Sequence, residues 1–336
     1  MPSAIPPTLA AYIQACLASH TQSLVTSVLS TPSTWLCLRL IYAALHGVEG
    51  QTLDRLEPVS RDCRPVIFVS LLRPLSLWTE MGRKLGLDIP ALLRSKKILY
   101  IDGLSPGSGP TPATRTSVDG LLPPTLKLKS LDLNDIRDAV NAALKSISTP
   151  PAATVSPPVR GPPAGAPSPR TPQSGTSVST PKPILSANTK PIILLDGIDF
   201  VLASEPNVSA LALQSVLSIF RSQCHAVVVT GNADAPLLHT ATSPESGTPL
   251  ERDHAHFLTS MAHQSNWVWQ LRGLDTGSAK DVTGVLRISR GGDLDSEEQN
   301  SGAGAQSHVK FDEVADAEWL YQVKGDGSVK IWSRGE

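Results

Sequence analysis

Two segments of this 336-residue chain place a carboxylate directly after a run of four apolar residues. One is ILYIDG, ending on Asp102 and Gly103; the other is IILLDG, ending on Asp196 and Gly197. A carboxylate at the end of a buried strand is the Walker-B arrangement, in which Asp helps to position Mg²⁺ beside a nucleoside triphosphate. Asp199 follows Asp196 closely enough to share such a site. The plainer alternative is turn formation at the end of a strand, because Asp-Gly favours turns. The two readings separate on whether anything else in the chain can grip a phosphate. That task needs a loop of the form G-x-x-x-x-G-K followed by Ser or Thr, whose N–H groups cradle phosphate while Lys reaches the outer oxygens. No glycine in this chain precedes a lysine. Where the first strand should turn into a helix the sequence reads LSTPSTW, Leu29 to Trp35, with neither Gly nor Lys, and Pro32 removes one N–H. Without such a loop, ordinary turn chemistry is the favoured reading of both Asp-Gly ends, and Asp196 is kept as the candidate relic of a Walker-B position.

Other chemistries fail on spacing. His254, His256 and His263 fall on one expected helix, but His256 and His263 are about 10 Å apart along its axis, too far to chelate one ion. His254 and His256 point to different faces. There is no HExxH and no GxSxG. The four cysteines, Cys16, Cys37, Cys63 and Cys224, form no CxxC pair and read as small hydrophobes of a reducing compartment. No metal and no cofactor is expected.

The elements that would carry these residues follow from short apolar runs and helical spacing. Strands are expected at Ser23 to Leu29, Pro65 to Leu71, Lys97 to Ile101, Pro191 to Leu195 and His225 to Thr230. Helices are expected at Trp35 to Leu45, along the stripe Leu77, Met81 and Leu85, after an Asp88 cap with Pro90 in the first turn, and at Leu131 to Leu144. Further helices are expected near Val208 to Arg221 and Pro249 to His263. The tail then turns to strands at Trp267 to Leu274, Val282 to Ser289, Trp319 to Val323 and Ser328 to Trp332, the last two joined by the hairpin turn KGDG. Strand–helix alternation followed by consecutive strands gives an α/β fold. It is a mainly parallel twisted sheet flanked by helices with C-terminal antiparallel strands. That is the RecA-like plan without its Walker A P-loop, and doubly wound α/β folds in general share its first part.

Composition sets the boundaries. Pro (29 residues) and Gly (24) concentrate in the middle of the chain. Residues 1–104 are read as the first part of the domain, 105–130 as a low-complexity insertion and 131–148 as a helix of the same domain. Residues 149–190 are read as a disordered Pro/Ser-rich linker, because few apolar side chains offset the ordering entropy. Residues 191–335 complete the domain, with a polar loop at 291–306. PxxP-like runs in the linker would suit an SH3 or WW domain, and a variable insertion without a partner is the plainer account. The net charge of −1 gives no global attraction to nucleic acid. The N-terminus lacks the basic segment of a signal peptide, and the most apolar stretch carries Arg39 and is too short to span a bilayer. No membrane association is expected.

Three passages resemble the Elongator protein 6 family in its fungal form. They are VIFVSLLRPLSLWTEMGRKLGLDIPALLRSKKILYIDGL (Val66 to Leu104), PIILLDGIDFVLASEPNVSALALQSVLSIF with HAVVVTGNADAPLLH after it, and LRGLDTGSAKDVTGVLRISRGG (Leu271 to Gly292). The third, in this order after the others, is the most specific. The resemblance implies a RecA-like subunit without catalysis of its own, in a heterohexameric ring with Elongator proteins 4 and 5. It also implies that the ring docks on the catalytic lobe of Elongator in cytoplasm and nucleus. The ring then binds transfer RNA and supports carboxymethyl-type modification of the wobble uridine (mcm5U, mcm5s2U, ncm5U). Within that picture Leu286, Ile288 and Arg290 share one strand face, with Arg290 reaching outward from the strand end and Arg287 beside it. Both arginines are candidates for a subunit interface or for a finger toward a neighbour's nucleotide. Lys280, in the loop before that strand, is the candidate for contact with transfer RNA. The competing readings are a divergent RecA-like ATPase with an atypical loop and an adaptor that works through its Pro-rich linker.

Overall fold

A computed structural model describes residues 5–48, 63–104, 125–148, 189–243, 245, 247–275, 277, 279–292 and 314–335. The stretches read from sequence as linker and polar loop lie almost wholly outside these residues, and of the insertion only 125–130 are among them.

The strands are β1 (Thr21–Ser27), β2 (Val66–Ser70), β3 (Ile98–Asp102), β4 (Thr125–Lys127), β5 (Ile192–Asp196), β6 (Ala226–Asn232), β7 (Trp267–Arg272), β8 (Gly284–Arg290), β9 (Ala317–Val323) and β10 (Val329–Trp332). Among the described residues they form one sheet in the order β10-β9-β8-β7-β1-β6-β5-β2-β3-β4. Every pairing from β7 across to β4 is parallel. The pairings β7–β8, β8–β9 and β9–β10 are antiparallel. The fold is thus α/β, a mostly parallel sheet extended by C-terminal antiparallel strands, and it follows the RecA-like plan.

The central strands bury both faces, which is why their sequences are continuous apolar runs. Their side chains still alternate between two cores. Val25, Phe68, Leu194 and Val228 point to one, against α1 (Ala10–Cys16), α2 (Thr34–His46), α3 (Leu75–Lys84) and α4 (Ile89–Arg94). Leu24, Ile67, Ile193 and Val227 point to the other, against α5 (Leu133–Ser148), α6 (Phe200–Ser204), α7 (Ala210–Gln223) and α9 (Pro249–Gln264). A short α8 (Ala235–Leu238) precedes α9.

Local signals act as expected at several ends. Asp88 Oδ1 accepts from the Ala91 N–H at 3.0 Å and starts α4. Thr248 and Glu251 form a reciprocal capping box on α9. Gly86, with φ +83°, ends the turn after α3. The turn Lys324–Gly327 joins β9 to β10.

Three features differ from the sequence reading. Of the stripe Leu77, Met81 and Leu85, the half-buried Met81 and Leu85 pack against the first core, but the deepest contacts of α3 come from fully buried Trp78 and Gly82 outside it. Gly82 sits there because a Cβ would lie 2.9 Å from Ile89 Cδ1 of α4. The edge strand β4 falls inside the stretch read as an insertion, where only three residues pair and the apolar signal is short. The N-terminal α1 was also not anticipated; its Ile13, Ala15 and Cys16 are buried in the first core.

Arg39, flagged as a polar break in the most apolar stretch, is 3% exposed. Its guanidinium donates to Trp35 C=O at 3.1 Å and to Gly327 C=O at 3.0 Å, tying the C-terminal hairpin turn to α2. Burial lowers its pKa to about 10.

Candidate functional site at the carboxyl end of the parallel strands

In open parallel sheets, ligands bind in the crevice beyond the carboxyl ends of the strands. Here that edge collects Ser27, Ser70, Asp102, Asp196 and Asn232, the last residues of β1, β2, β3, β5 and β6.

The loop from β1 to α2 makes no phosphate cradle. Thr31 donates its N–H to Val28 C=O at 2.9 Å, and its side chain is fully buried. Leu29, 88% exposed, has its N–H bound to Asp234 Oδ1 at 3.2 Å. The space beside Thr31 is filled from the antiparallel side of the sheet. The rings of Trp35 and Tyr321 lie 5.1 Å apart. A Cβ on Gly284 would come within 2.8 Å of Thr31 Cγ2 and 3.1 Å of Tyr321 Cε1, so only glycine lets β8 approach this closely. Burial pushes the Tyr321 hydroxyl up to about 12, with the Trp35 and Thr31 polar groups nearby pulling it back. These three polar atoms lie side by side, yet none meets hydrogen-bond geometry.

Asp196 is completely buried at the end of β5, and protein donors surround it. Arg73 Nη1 lies 2.5 Å from its Oδ1, and Thr230 Oγ1 donates to the same oxygen at 3.4 Å. Ser70 Oγ stands 3.0 Å from Oδ2 and 2.9 Å from the Arg73 carbonyl, and it receives a bond from Trp78 Nε1 at 3.1 Å. Tyr100 Oη donates to the same Arg73 carbonyl at 3.1 Å. The loop carrying Arg73 is thus pinned by Tyr100 from β3 and by the Ser70–Trp78 link between β2 and α3. Burial holds the Asp196 pKa above the usual carboxylate value, and the Arg73 charge and the Ser70 and Thr230 hydroxyls pull it back down. A carboxylate in the Walker-B position would face a hydrated cation. This one faces a guanidinium of its own chain.

Asp199 belongs to a second, adjoining cluster. Its Oδ2 accepts the Asn232 N–H at 2.9 Å and lies 3.9 Å from His254 Nδ1. His254 Nε2 is 2.8 Å from Asn232 C=O, which requires a proton on that nitrogen. Asp199 Oδ1 is buried without a hydrogen-bond partner. Burial, the largest effect, raises the Asp199 pKa, against the lowering pull of the Asn232 N–H and of His254.

The residues picked from sequence do not converge. Asp196 lies on β5, whereas Lys280, Arg287 and Arg290 lie on or beside β8. Lys280 is exposed in the tight turn closed by the Ala279–Val282 bridge. Arg290 sits at the opposite end of β8, across from Trp267. It shares a face with buried Leu286 and Ile288, as expected, but it does not reach outward. Its guanidinium lies 4.6 Å from the centre of the Trp267 ring, because that ring offers a flat apolar seat to the last residue of the strand. Arg287, on the other face between Gln270 and Glu318, is the exposed arginine of the pair. Arg73, the partner of Asp196 from 123 positions away, was not anticipated. A polar residue just after a buried strand, in SLLRP, was the one available signal.

Fold and site together define a RecA-like α/β protein in which the acid ending β5 is engaged by side chains of its own chain. Among proteins of known function it is similar to Elongator complex protein 6 of Xenopus laevis, with 25% identity over 229 residues that cover 68% of this chain and 69% of that protein. No family model matches the sequence.

Proposed function

We propose that this chain is an Elongator protein 6-type subunit, of fungal form, that works as a non-catalytic member of an assembly. In this reading it joins Elongator proteins 4 and 5 in a heterohexameric ring that docks on the catalytic lobe. The ring binds transfer RNA and supports wobble-uridine modification in cytoplasm and nucleus. The observation that carries the non-catalytic role is the Arg73–Asp196 pair, with both Asp196 oxygens engaged by protein donors. Similarity to an Elongator subunit supports the choice of partners.

Surface chemistry at the same edge supports assembly. Leu29, Leu72, Leu104 and Phe200 follow the ends of β1, β2, β3 and β5, and each is at least 39% exposed. An apolar rim of this kind is what a neighbouring subunit covers. Arg287 is the better placed of the two arginines to meet a neighbour, and Lys280 stays the candidate for RNA contact. Among the described residues no helix is long and apolar enough to cross a membrane.

Co-expression with Elongator proteins 4 and 5, followed by native mass measurement, tests the reading. A defined hetero-oligomer is expected, together with no measurable binding of ATP–Mg²⁺ by the chain alone. Saturable ATP–Mg²⁺ binding by the isolated chain would instead favour a divergent ATPase.

A further inference from the structure

The opposite edge of the sheet carries a different chemistry. β5, β2 and β3 are neighbours, and Val66 is in register with both Ile192 and Ile98. Two residues upstream on each chain stand Lys190, Arg64 and Lys96, and Lys97 follows Lys96. Strand pairing ends one residue short of Lys190, Arg64 and Lys96, where Val66 N–H donates to Lys97 C=O and Ile192 N–H to Pro65 C=O. Adjacent strands lie about 4.8 Å apart, so these cations enter the edge side by side. Arg64 Nη1 reaches Lys190 C=O at 3.5 Å. Arg94 closes α4 on one flank, and Arg221 closes α7 on the other, where it and Lys190 both act on the Cys224 thiol. Lys96, Lys97, Lys190 and Arg94 are exposed.

Helix dipoles explain only part of this. Arg94 and Arg221 lie in last turns, where the macrodipole favours a cation. Lys96 and Lys97 cap the same end of α4, their N–H groups bonding Leu93 C=O at 3.1 Å and Leu92 C=O at 2.9 Å, whereas Arg64 and Lys190 lie outside any helix. Lys96 also holds a left-handed backbone with φ 56°, a conformation that glycine or asparagine adopts at lower cost. The described acids nearest in sequence, Asp102 and Asp196, stand at the far, carboxyl ends of β3 and β5, and Asp88 is engaged as the cap of α4.

We propose that this amino-terminal edge, centred on Lys96, Lys97 and Lys190, is a binding surface for a phosphodiester backbone. Protein interfaces are depleted in lysine and need an apolar centre. This band is lysine-rich, and the exposed apolar rim lies at the other end of the strands. A row of point charges at strand spacing instead matches a phosphate chain, where each contact releases a counterion. The surface is separate from Lys280, which sits at the carboxyl end of the same sheet. Choosing RNA as the probe rests on the assembly reading above; the preference of the band for phosphate does not.

The test is binding of a labelled stem-loop RNA to the full-length chain over a salt series. The variant K96Q/K97Q/K190Q is expected to bind about tenfold more weakly or worse near physiological salt, with a log–log salt slope shallower by about 2. Its thermal melt should match the parent, because the substituted side chains are exposed. A K280Q/R287Q variant separates the two surfaces and is expected to keep most of the affinity. The proposal is overturned if the triple variant keeps the parent slope and affinity while K280Q/R287Q loses them. It is also overturned if polyglutamate of equal charge displaces the RNA as well as unlabelled RNA does, since the band would then be an acidic-protein site. Failure of ring assembly in co-expression, with RNA binding intact, would count against the assembly reading alone.

Discussion

The two ends of the parallel strands treat charge in opposite ways. At the carboxyl ends of β5 and β6 the acids are internal: Asp196 is bonded to Arg73, and Asp199 to the Asn232 N–H with His254 beside it. At the amino end, charge is external: Lys96, Lys97 and Lys190 stand in water. A buried ion pair needs both partners, because a lone charge in a low-dielectric interior has nothing to replace its lost hydration. An exposed lysine loses no hydration and contributes little to stability, so it is free to act on a ligand. At the edge that carries ligands in related folds the buried acids are engaged by protein donors, and at the other edge the lysines are exposed.

Substitutions can break that contrast. Arg73→Ala should be the most damaging, costing about 3–5 kcal/mol, because it strands the fully buried Asp196. The double variant R73M/D196N should recover most of the loss in chemical denaturation. A cost below about 1 kcal/mol for Arg73→Ala would mean that Asp196 does not depend on its partner.

Asp199→Asn should show itself through pH. The folded carboxyl holds its proton to higher pH than its ordinary value of 3.8. That linkage favours the folded state fully below the ordinary value and is lost as pH rises through the folded pKa. Asn carries no such proton, so the melting temperature of the variant should gain on the parent as pH is raised from acid toward neutral. His254, Arg73 and the Asn232 N–H, which face this carboxyl, are left in place. A constant difference across the range would contradict a raised pKa.

At the other edge the sign reverses. Lys96→Gly should stabilise the fold by about 1 kcal/mol by relieving the left-handed backbone. The same change should weaken RNA binding, and a variant that gains stability with no loss of binding would remove Lys96 from the recognition surface. The smallest effect is expected for Arg290→Ala, about 0.5–1 kcal/mol from the Trp267 contact. A much larger loss in the assembled ring than in the free chain would return Arg290 to a subunit interface.

Most of the strands and helices were legible, because buried parallel strands must be continuous apolar runs and their ends carry Asp-Gly turns, caps and glycines. The docking face of α3 was legible in part: Met81 and Leu85 pack against the first core, and only the neighbour α4 shows that Trp78 and Gly82 go deeper. β4 was missed because three residues at a sheet edge bury too little to leave a pattern. The missing phosphate loop was plain from residue types alone, since no other side chains replace backbone N–H groups and a lysine at that spacing.

The sequence by itself thus determined the class of fold, the absence of a phosphate-gripping loop and the placing of Asp196 at a strand end. Only the tertiary structure decided that Arg73 answers Asp196, that Tyr321 and Thr31 fill the space beside the first loop, and that three separate strand entries align their cations. The physical reason is that local rules act over a few residues, through backbone geometry and side-chain period. Pairing of charges and filling of space join residues more than a hundred positions apart, and strand order is what brings them together.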